Sequence, residues 1–181
     1  MRALPLASFF LATAAALAQL TTPSGDPSET RHSAMSGQVS FSVPARWELM
    51  NKVDTPGLAL FLFFIPYPAA DGTRHSANAV VIAKPVPAGM TIRDVDAAEE
   101  GLVIASDTPE GDSWRTVLGR AQDEVPYLVM KRMGIREGTY FQLSVAYPLM
   151  ASSGSDSSLV ADEFNAAVKA IRLSSPSPPA K

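Results

Sequence analysis

The chain has 181 residues, of which 46% are hydrophobic and 18% are charged, and its formal net charge is −3. That composition is typical of one globular domain, and the lack of a basic run argues against nucleic acid or an anionic membrane surface as a partner. Because the chain has no cysteine, it has no disulfide, no thiol nucleophile and no thiolate metal site.

The first 18 residues have the pattern of a secretory signal peptide. Arg2 is followed by an uncharged apolar run that closes on an A-x-A sequence ending at Ala18, so we expect cleavage before Gln19. The run has about 16 residues, fewer than the roughly 20 that cross a bilayer. We therefore expect an exported protein without a membrane span after cleavage, in the periplasm or else outside the cell. Without the signal, 14 basic residues face 18 acidic ones, a net charge of −4.

Two stretches without periodicity border the predicted domain. Residues 19–37 are rich in Ser, Thr, Pro and Gly and predict a flexible lead. Residues 174–181 have the same character and predict a disordered tail. A single domain is therefore expected over residues 38–173.

The domain begins with strand signals. Apolar and polar residues alternate over residues 39–43, which predicts a half-buried strand that ends at Pro44. Trp47 then offers a large ring that can close the edge of a core. The continuous apolar run of residues 57–65 predicts a strand covered on both faces or buried in a sheet centre. Residues 78–86 predict a third strand.

A helix is predicted next. Apolar residues recur at helical spacing over residues 91–105, and Thr91 and Asp94 have the spacing of a capping box. The polar residues 106–113 predict a loop after this helix.

Strand signals return in the second half, over residues 114–121, 125–133 and 139–147. Gly138 supplies the positive φ that an antiparallel hairpin between the last two strands needs. An apolar stripe over residues 157–173 predicts the closing helix. The order of elements predicts an α+β domain, an antiparallel sheet with two helices packed on it.

Three elements carry a family resemblance: the early FSVPARW strand, the strongly apolar strand after it, and the closing AVKAIRL helix. Together they resemble the PsbP-like superfamily over about residues 38–173. That superfamily includes the extrinsic protein of the photosystem II oxygen-evolving complex, a Ran-binding nuclear-import factor and DcrB-like bacterial envelope proteins. The resemblance implies an α-β-α sandwich and a role in binding other proteins, and it transfers no catalytic residue.

Four polar residues keep an enzymatic alternative open. If Asp107, Glu110, Asp112 and His75 shared a pocket, they would suit a carboxylate- or metal-dependent hydrolase. The sequence has no D-x-D-x-D-G calcium loop, no G-x-S-x-G elbow and no glycine-rich phosphate loop. The second histidine, His32, falls in the predicted lead, where a fixed role is not expected. We therefore assign no catalytic, cofactor or metal-binding residue.

The leading hypothesis is a non-enzymatic protein that binds another protein in the bacterial envelope. One specific version is an immunity-type inhibitor of a secreted toxin, and a small-ligand carrier with an apolar cavity between helix and sheet is a further alternative. No cofactor is expected. The candidate partner-binding residues are aromatic or basic side chains of the predicted loops and hairpin: Tyr67, Arg74, His75, Lys131, Arg132 and Arg136.

Overall fold

A computed structural model of the protein describes residues 28–68, 74–95, 102–121, 126–149 and 156–173. Of residues 67–68, 74–75 and 156–158 it describes the backbone alone. The predicted signal peptide, the first part of the predicted lead and the predicted tail lie outside the described residues.

Antiparallel strands make up most of the described chain. In chain order the elements are β1 (Glu29–Ala34), β2 (Val39–Pro44), β3 (Glu48–Thr55), β4 (Leu58–Pro68), β5 (Arg74–Pro85), β6 (Leu102–Glu110), β7 (Trp114–Ala121), β8 (Tyr127–Arg136), β9 (Thr139–Pro148), α1 (Asp156–Lys169) and β10 (Arg172–Leu173).

These strands form two sheets. The large sheet has seven strands in the order β3-β4-β5-β9-β8-β7-β6, and the small sheet has the order β1-β2-β10. Every described pairing is antiparallel. The predicted hairpin between β8 and β9 is confirmed, since only Glu137 and Gly138 separate the two strands. Their φ values of 52° and 76° match the left-handed conformation that a two-residue hairpin turn needs.

The main core lies between one face of the large sheet and a second layer made of α1 and the small sheet. From Ala59 to Ile65, alternate residues of β4 face this core, and each of them is fully buried, as the pleat of a strand requires. Five elements supply most of the core: β2, β4, β5, β9 and α1. They are represented by Phe41, Phe61, Val81, Phe141 and Phe164.

A smaller apolar cluster covers part of the opposite face of the large sheet. It joins Ile92, in a short 3-10 turn, to Val117, Met133, Ile135 and Tyr140 of strands β7 to β9. The capping box predicted before this turn is confirmed, because the side chain of Asp94 accepts from the backbone N–H of Thr91 at 2.7 Å.

The helix predicted over residues 91–105 is wrong in its described part. Only the turn Ile92–Asp94 is helical there, and residues 102–105 belong to β6; residues 96–101 lie outside the described residues. Val103 and Ile104 are β-branched, and pairing with β7 satisfies their backbone in the extended form. The described residues therefore contain one helix of the two predicted, and the predicted loop over residues 106–113 is strand as far as Glu110.

Both ends of the predicted domain also differ from the structure. Glu29–Ala34, inside the predicted flexible lead, pairs along its full length with β2, and Ala34 is buried in the core. Helix α1 ends at Lys169, and Arg172–Leu173, predicted as helix, pairs with β2 instead. Leu173 is buried in the main core. This burial favours strand pairing at the end of the described chain over a further turn of helix.

Candidate functional site

Three of the six predicted partner-binding residues lie at one end of the β4–β5 hairpin. The backbone register pairs Tyr67 with His75 and Pro68 with Arg74. Residues 69–73, between the two strands in sequence, lie outside the described residues, and the side chains of Tyr67, Arg74 and His75 are not described.

The three predicted residues of β8 are divided between the two faces of the sheet. Arg132 and Arg136 lie on the face that carries α1, whereas Lys131 lies on the face of the smaller cluster, in register with Val117. A separation of one or of five residues in a strand reverses the face, while a separation of four keeps it. Of the three basic residues predicted on this hairpin, only Arg132 and Arg136 therefore share a face of the sheet.

Two further cations join these arginines across a depression between β8 and the end of α1. This depression, called the basic groove below, has a volume of about 290 Å³. These cations are Lys169, the last residue of α1, and Arg172 of β10. They reach the groove because α1 and β10 pack on the same face of the large sheet. The residues that line the basic groove are Trp114, Arg132, Arg136, Val168, Lys169, Ile171, Arg172 and Leu173.

A glycine on the neighbouring strand shapes one wall of the basic groove. Gly134 is directly opposite Trp114 in the β7–β8 register, and a methyl group at Gly134 would overlap the six-membered ring of Trp114. The absent side chain lets the indole lie against β8. The guanidinium of Arg132 then stacks on the indole, with its Cζ 4.9 Å from the ring centroid, a cation–π geometry.

The side chain of Arg132 is also bonded to two residues at the edge of the groove. Its Nη1 donates to the carboxylate of Glu110 and, at 2.9 Å, to Oγ1 of Thr116. The hydrogen bond from Arg132 is the main reason that the pKa of Glu110 lies below its ordinary value. At 9% exposure, Arg132 is a nearly buried cation, and such cations are stable only when paired.

The carboxylates of the enzymatic alternative do not converge in the described structure. Asp107 forms an ion pair with Arg115, on the face opposite to the one where Glu110 meets Arg132. Hydrogen bonding from Arg115 lowers the pKa of Asp107. Asp112 instead pairs with Arg93 at 2.9 Å on the surface. Within the described ranges no cluster of three or more His, Asp or Glu residues is arranged to hold a metal ion.

A second unusual surface lies on the other side of the large sheet. Strands β3, β4 and β5 present a continuous set of apolar side chains there, in cross-strand register. None of them belongs to either core cluster, and all are at least partly exposed, up to 42% for Val53. We call this surface the apolar outer face, and its residues are Val53, Leu58, Leu60, Leu62, Phe64, Val80 and Ile82.

The arrangement of strands and helix is similar to that of a known structure. The solution structure of cyanobacterial PsbP (CyanoP) from Synechocystis sp. PCC 6803 matches with a TM-score of 0.51 at 17% sequence identity, over 84% of this chain and 96% of that one. The fold of this protein is PsbP-like. The resemblance inferred from the FSVPARW strand and the closing helix is thereby confirmed for the fold.

A second solved structure, protein-family models and curated proteins do not extend the PsbP-like assignment. A crystal structure from Bacteroides thetaiotaomicron VPI-5482 has a TM-score of 0.49 and 16% identity over 81% of this chain, which spans about half (48%) of that one. No protein-family model and no curated protein matches the chain. Within the described part of the PsbP-like fold, no helix has the length and apolarity of a membrane span.

Sequence reasoning missed two features that this PsbP-like fold creates. From the local sequence, the only role visible for Lys169 and Arg172 is to complement a helix dipole. Their approach to Arg132 depends on where α1 packs, which the local sequence does not determine. The apolar outer face had a visible signal, because the run over residues 57–65 has no polar position. That run predicts a strand covered on both faces, whereas the described residues cover one face fully and leave the other partly exposed.

Proposed function

We propose that this protein is an exported, non-enzymatic domain of the bacterial cell envelope that binds another protein through its apolar outer face. The observation that carries the proposal is the loss of alternation in β4. Its side chains toward the core and its side chains on the outer face are apolar alike, from Leu58 to Ile65.

Strand β9 provides the internal comparison. It crosses the same sheet, and its outer positions next to β5 carry Gln142 and Ser144, the polar residues typical of a sheet face that meets water. Their side chains form a hydrogen bond, Gln142 Nε2 to Ser144 Oγ at 2.7 Å. The adjacent residues of β4 and β5 on the apolar outer face have no such groups. Contiguous apolar patches of this kind mark protein interaction sites, so the partner we propose presents an apolar surface of its own.

The location rests on the first 18 residues. Their single basic residue, apolar run and A-x-A ending are those of a secretory signal, and we propose the periplasm as the destination. A specific version of the proposal is an immunity-type inhibitor, in which the partner is a secreted toxin. A rigid antiparallel sheet that offers one apolar face is suited to covering a complementary surface on such a toxin.

Site-specific photo-crosslinking from the apolar outer face tests the proposal. A crosslinking side chain is placed at Leu62 in the secreted protein, and the matched control is placed at Val103, an apolar residue on β6 that is 52% exposed. We expect one protein partner to be captured from Leu62 and absent from Val103. Leu62→Asp, shown by its melting curve to be folded, should then lose the complex.

Two results would overturn this function. Equal capture from both positions would mean that the outer face has no specificity. Capture of a second copy of the same chain alone would make the face a dimer interface. For the immunity version, expression of the captured partner in the periplasm should be toxic, and the wild-type protein should restore growth whereas Leu62→Asp should not.

A further inference from the structure

We propose that the basic groove is a second binding site, which takes a carboxylate of an acidic peptide segment on Nε and Nη2 of Arg132, the two donors without an acceptor among the described residues. The site is independent of the apolar outer face, because it lies on the opposite side of the large sheet.

The charge of the groove is the first argument. Four cationic side chains line it, and no Asp or Glu is among its described lining residues. The whole chain has a net charge of −3, so the groove is a local reversal of sign. Such a reversal attracts an anionic partner and orients it during approach.

The hydrogen bonds of Arg132 are the second argument. Both of its bonds in the described structure come from Nη1, one to Glu110 and one to Thr116. Its Nε and Nη2 have no acceptor among the described residues, yet they are not sealed from solvent. An arginine offers its donors as a planar fork that fits the two oxygens of one carboxylate. Within the described ranges, one edge of that fork on the nearly buried guanidinium therefore has no acceptor.

The rigidity of the group is the third argument. The indole of Trp114 lies under the guanidinium, and Thr116 holds Nη1 from the side. Because the side chain is already fixed, little conformational entropy is lost when a ligand binds. Arg172 is held as well, since its Nη1 donates to the backbone oxygens of Lys169 and Ile171 at 2.7 and 2.8 Å.

In this proposal Glu110 does more than pair with Arg132, because its charge also affects the binding of the ligand. It contacts Arg132 through Oε1 alone, and its side chain is 52% exposed. Its negative charge beside the groove opposes the approach of a second carboxylate. Glu110 therefore acts as an internal competitor, and removing its charge should strengthen the binding of an acidic ligand.

The test measures binding of a fluorescein-labelled hexaglutamate peptide to the full mature chain by fluorescence anisotropy at low salt. Arg136→Ala and Lys169→Ala should each weaken binding about two- to fivefold, as expected for exposed charge pairs. Glu110→Gln should strengthen it by a similar factor. Arg120→Ala is the matched control, because Arg120 is an exposed cation of β7 that does not line the groove.

The three outcomes separate the site from a general charge effect. If Arg120→Ala weakens binding as much as Arg136→Ala, net charge alone is responsible and the proposal fails. If Glu110→Gln weakens binding in a protein that remains folded, Glu110 is a structural partner of Arg132 and the competition is refuted. If inorganic triphosphate displaces the labelled peptide better than unlabelled hexaglutamate does, the groove prefers phosphate and the assignment to a carboxylate is wrong.

Discussion

Trp47 shows how a single side chain can join the first strands of this protein to its helix. The ring is 4% exposed and packs at 6.0 Å from Phe63, which confirms that it closes an edge of the core. Its Nε1 donates to Oε2 of Glu163 at 2.8 Å, and Arg46 donates to the same carboxylate. The Arg46 side chain also donates to the backbone oxygen of Pro66. One carboxylate of α1 thus holds the loop after β2 and, through Arg46, the end of β4.

Two substitutions at Trp47 separate the packing of the ring from its hydrogen bond. We expect Trp47→Ala to lower the free energy of unfolding by about 3–5 kcal/mol, the range for removing a large buried ring. Trp47→Phe keeps an aromatic ring but loses the donor to Glu163, and it should cost about 1–3 kcal/mol. Urea unfolding followed by circular dichroism measures both. A Trp47→Ala protein as stable as wild type would show that the ring does not support the core.

His32 is the second residue whose environment makes a definite prediction. It stacks on Phe41 at 5.2 Å and meets the edges of Phe61 and Phe63, and its Nε2 is buried without a hydrogen-bond partner among the described residues. Burial, and secondarily the positive charge of Lys52, hold the pKa of His32 below its ordinary value of 6.5. The folded state therefore favours the neutral imidazole.

This pKa predicts that acid weakens the fold well before the carboxylates titrate. Below pH 6.5 the unfolded chain binds a proton that folded His32 resists, so the free energy of unfolding should fall as the pH falls. The decline should level off once the pH is below the pKa of the folded state. Unfolding curves from pH 8 to about pH 5 measure it, since carboxylates titrate mainly below that range. His32→Phe should flatten the curve, and an unchanged slope in that variant would assign the effect to other groups.

At the scale of single elements, the close approach of β7 to β8 depends on Gly134. A methyl group at this position would overlap the ring of Trp114, so Gly134→Ala should lower the free energy of unfolding by about 1–3 kcal/mol, as overpacking does. Gly57→Ala is the matched control, because a methyl group there meets no atom within 4 Å and the φ of Gly57 is not in the left-handed region. Equal melting temperatures for the two variants would show that the ring can shift without loss of stability.

The strands were more predictable from the sequence than the helices, for a physical reason. Alternation in β9 and the bounding Pro44 of β2 are local signals, and both strands occur where these signals place them. The helical spacing over residues 91–105 is also local, but Val103 and Ile104 pair with β7, more than a dozen residues further along the chain. A long-range partner of this kind is invisible to a periodicity that is read within one window.

The candidate sites also combine features that local sequence predicts with features that depend on distant parts of the chain. A strict period of two along β8 is enough to separate Lys131 from Arg132 and Arg136, so that division is a local property of the sequence. The approach of Lys169 and Arg172 is not local, because it depends on how α1 and β10 dock. For the apolar outer face, the unbroken run of β4 is a correct signal of an unusual strand, but sequence alone does not say whether the cover belongs to the same chain.

At the scale of the whole molecule, the large sheet has two edge strands in the part of the chain that the structure describes, β3 and β6. Among the described residues, β3 pairs only with β4 and β6 pairs only with β7. Such edges can pair with another chain, and charged side chains or prolines are the usual protection. Strand β6 carries Pro109 near its end, and β3 carries Lys52 near its centre. Lys52 is held there by an ion pair with Asp54 at 3.1 Å.

Lys52 is therefore expected to keep the protein from self-associating along β3, a strand that also carries the exposed Met50 and Val53. Lys52→Ile removes the charge from a strand that pairs with only one other strand among the described residues, so sedimentation velocity should show several-fold more dimer as the concentration rises. Lys84→Ile makes the same change on β5, whose backbone is already paired with β4 and β9, and it should remain at the wild-type level. If both variants associate equally, added apolar area alone is the cause. Association of Lys52→Ile alone would identify the edge of β3 as the surface that the charge protects.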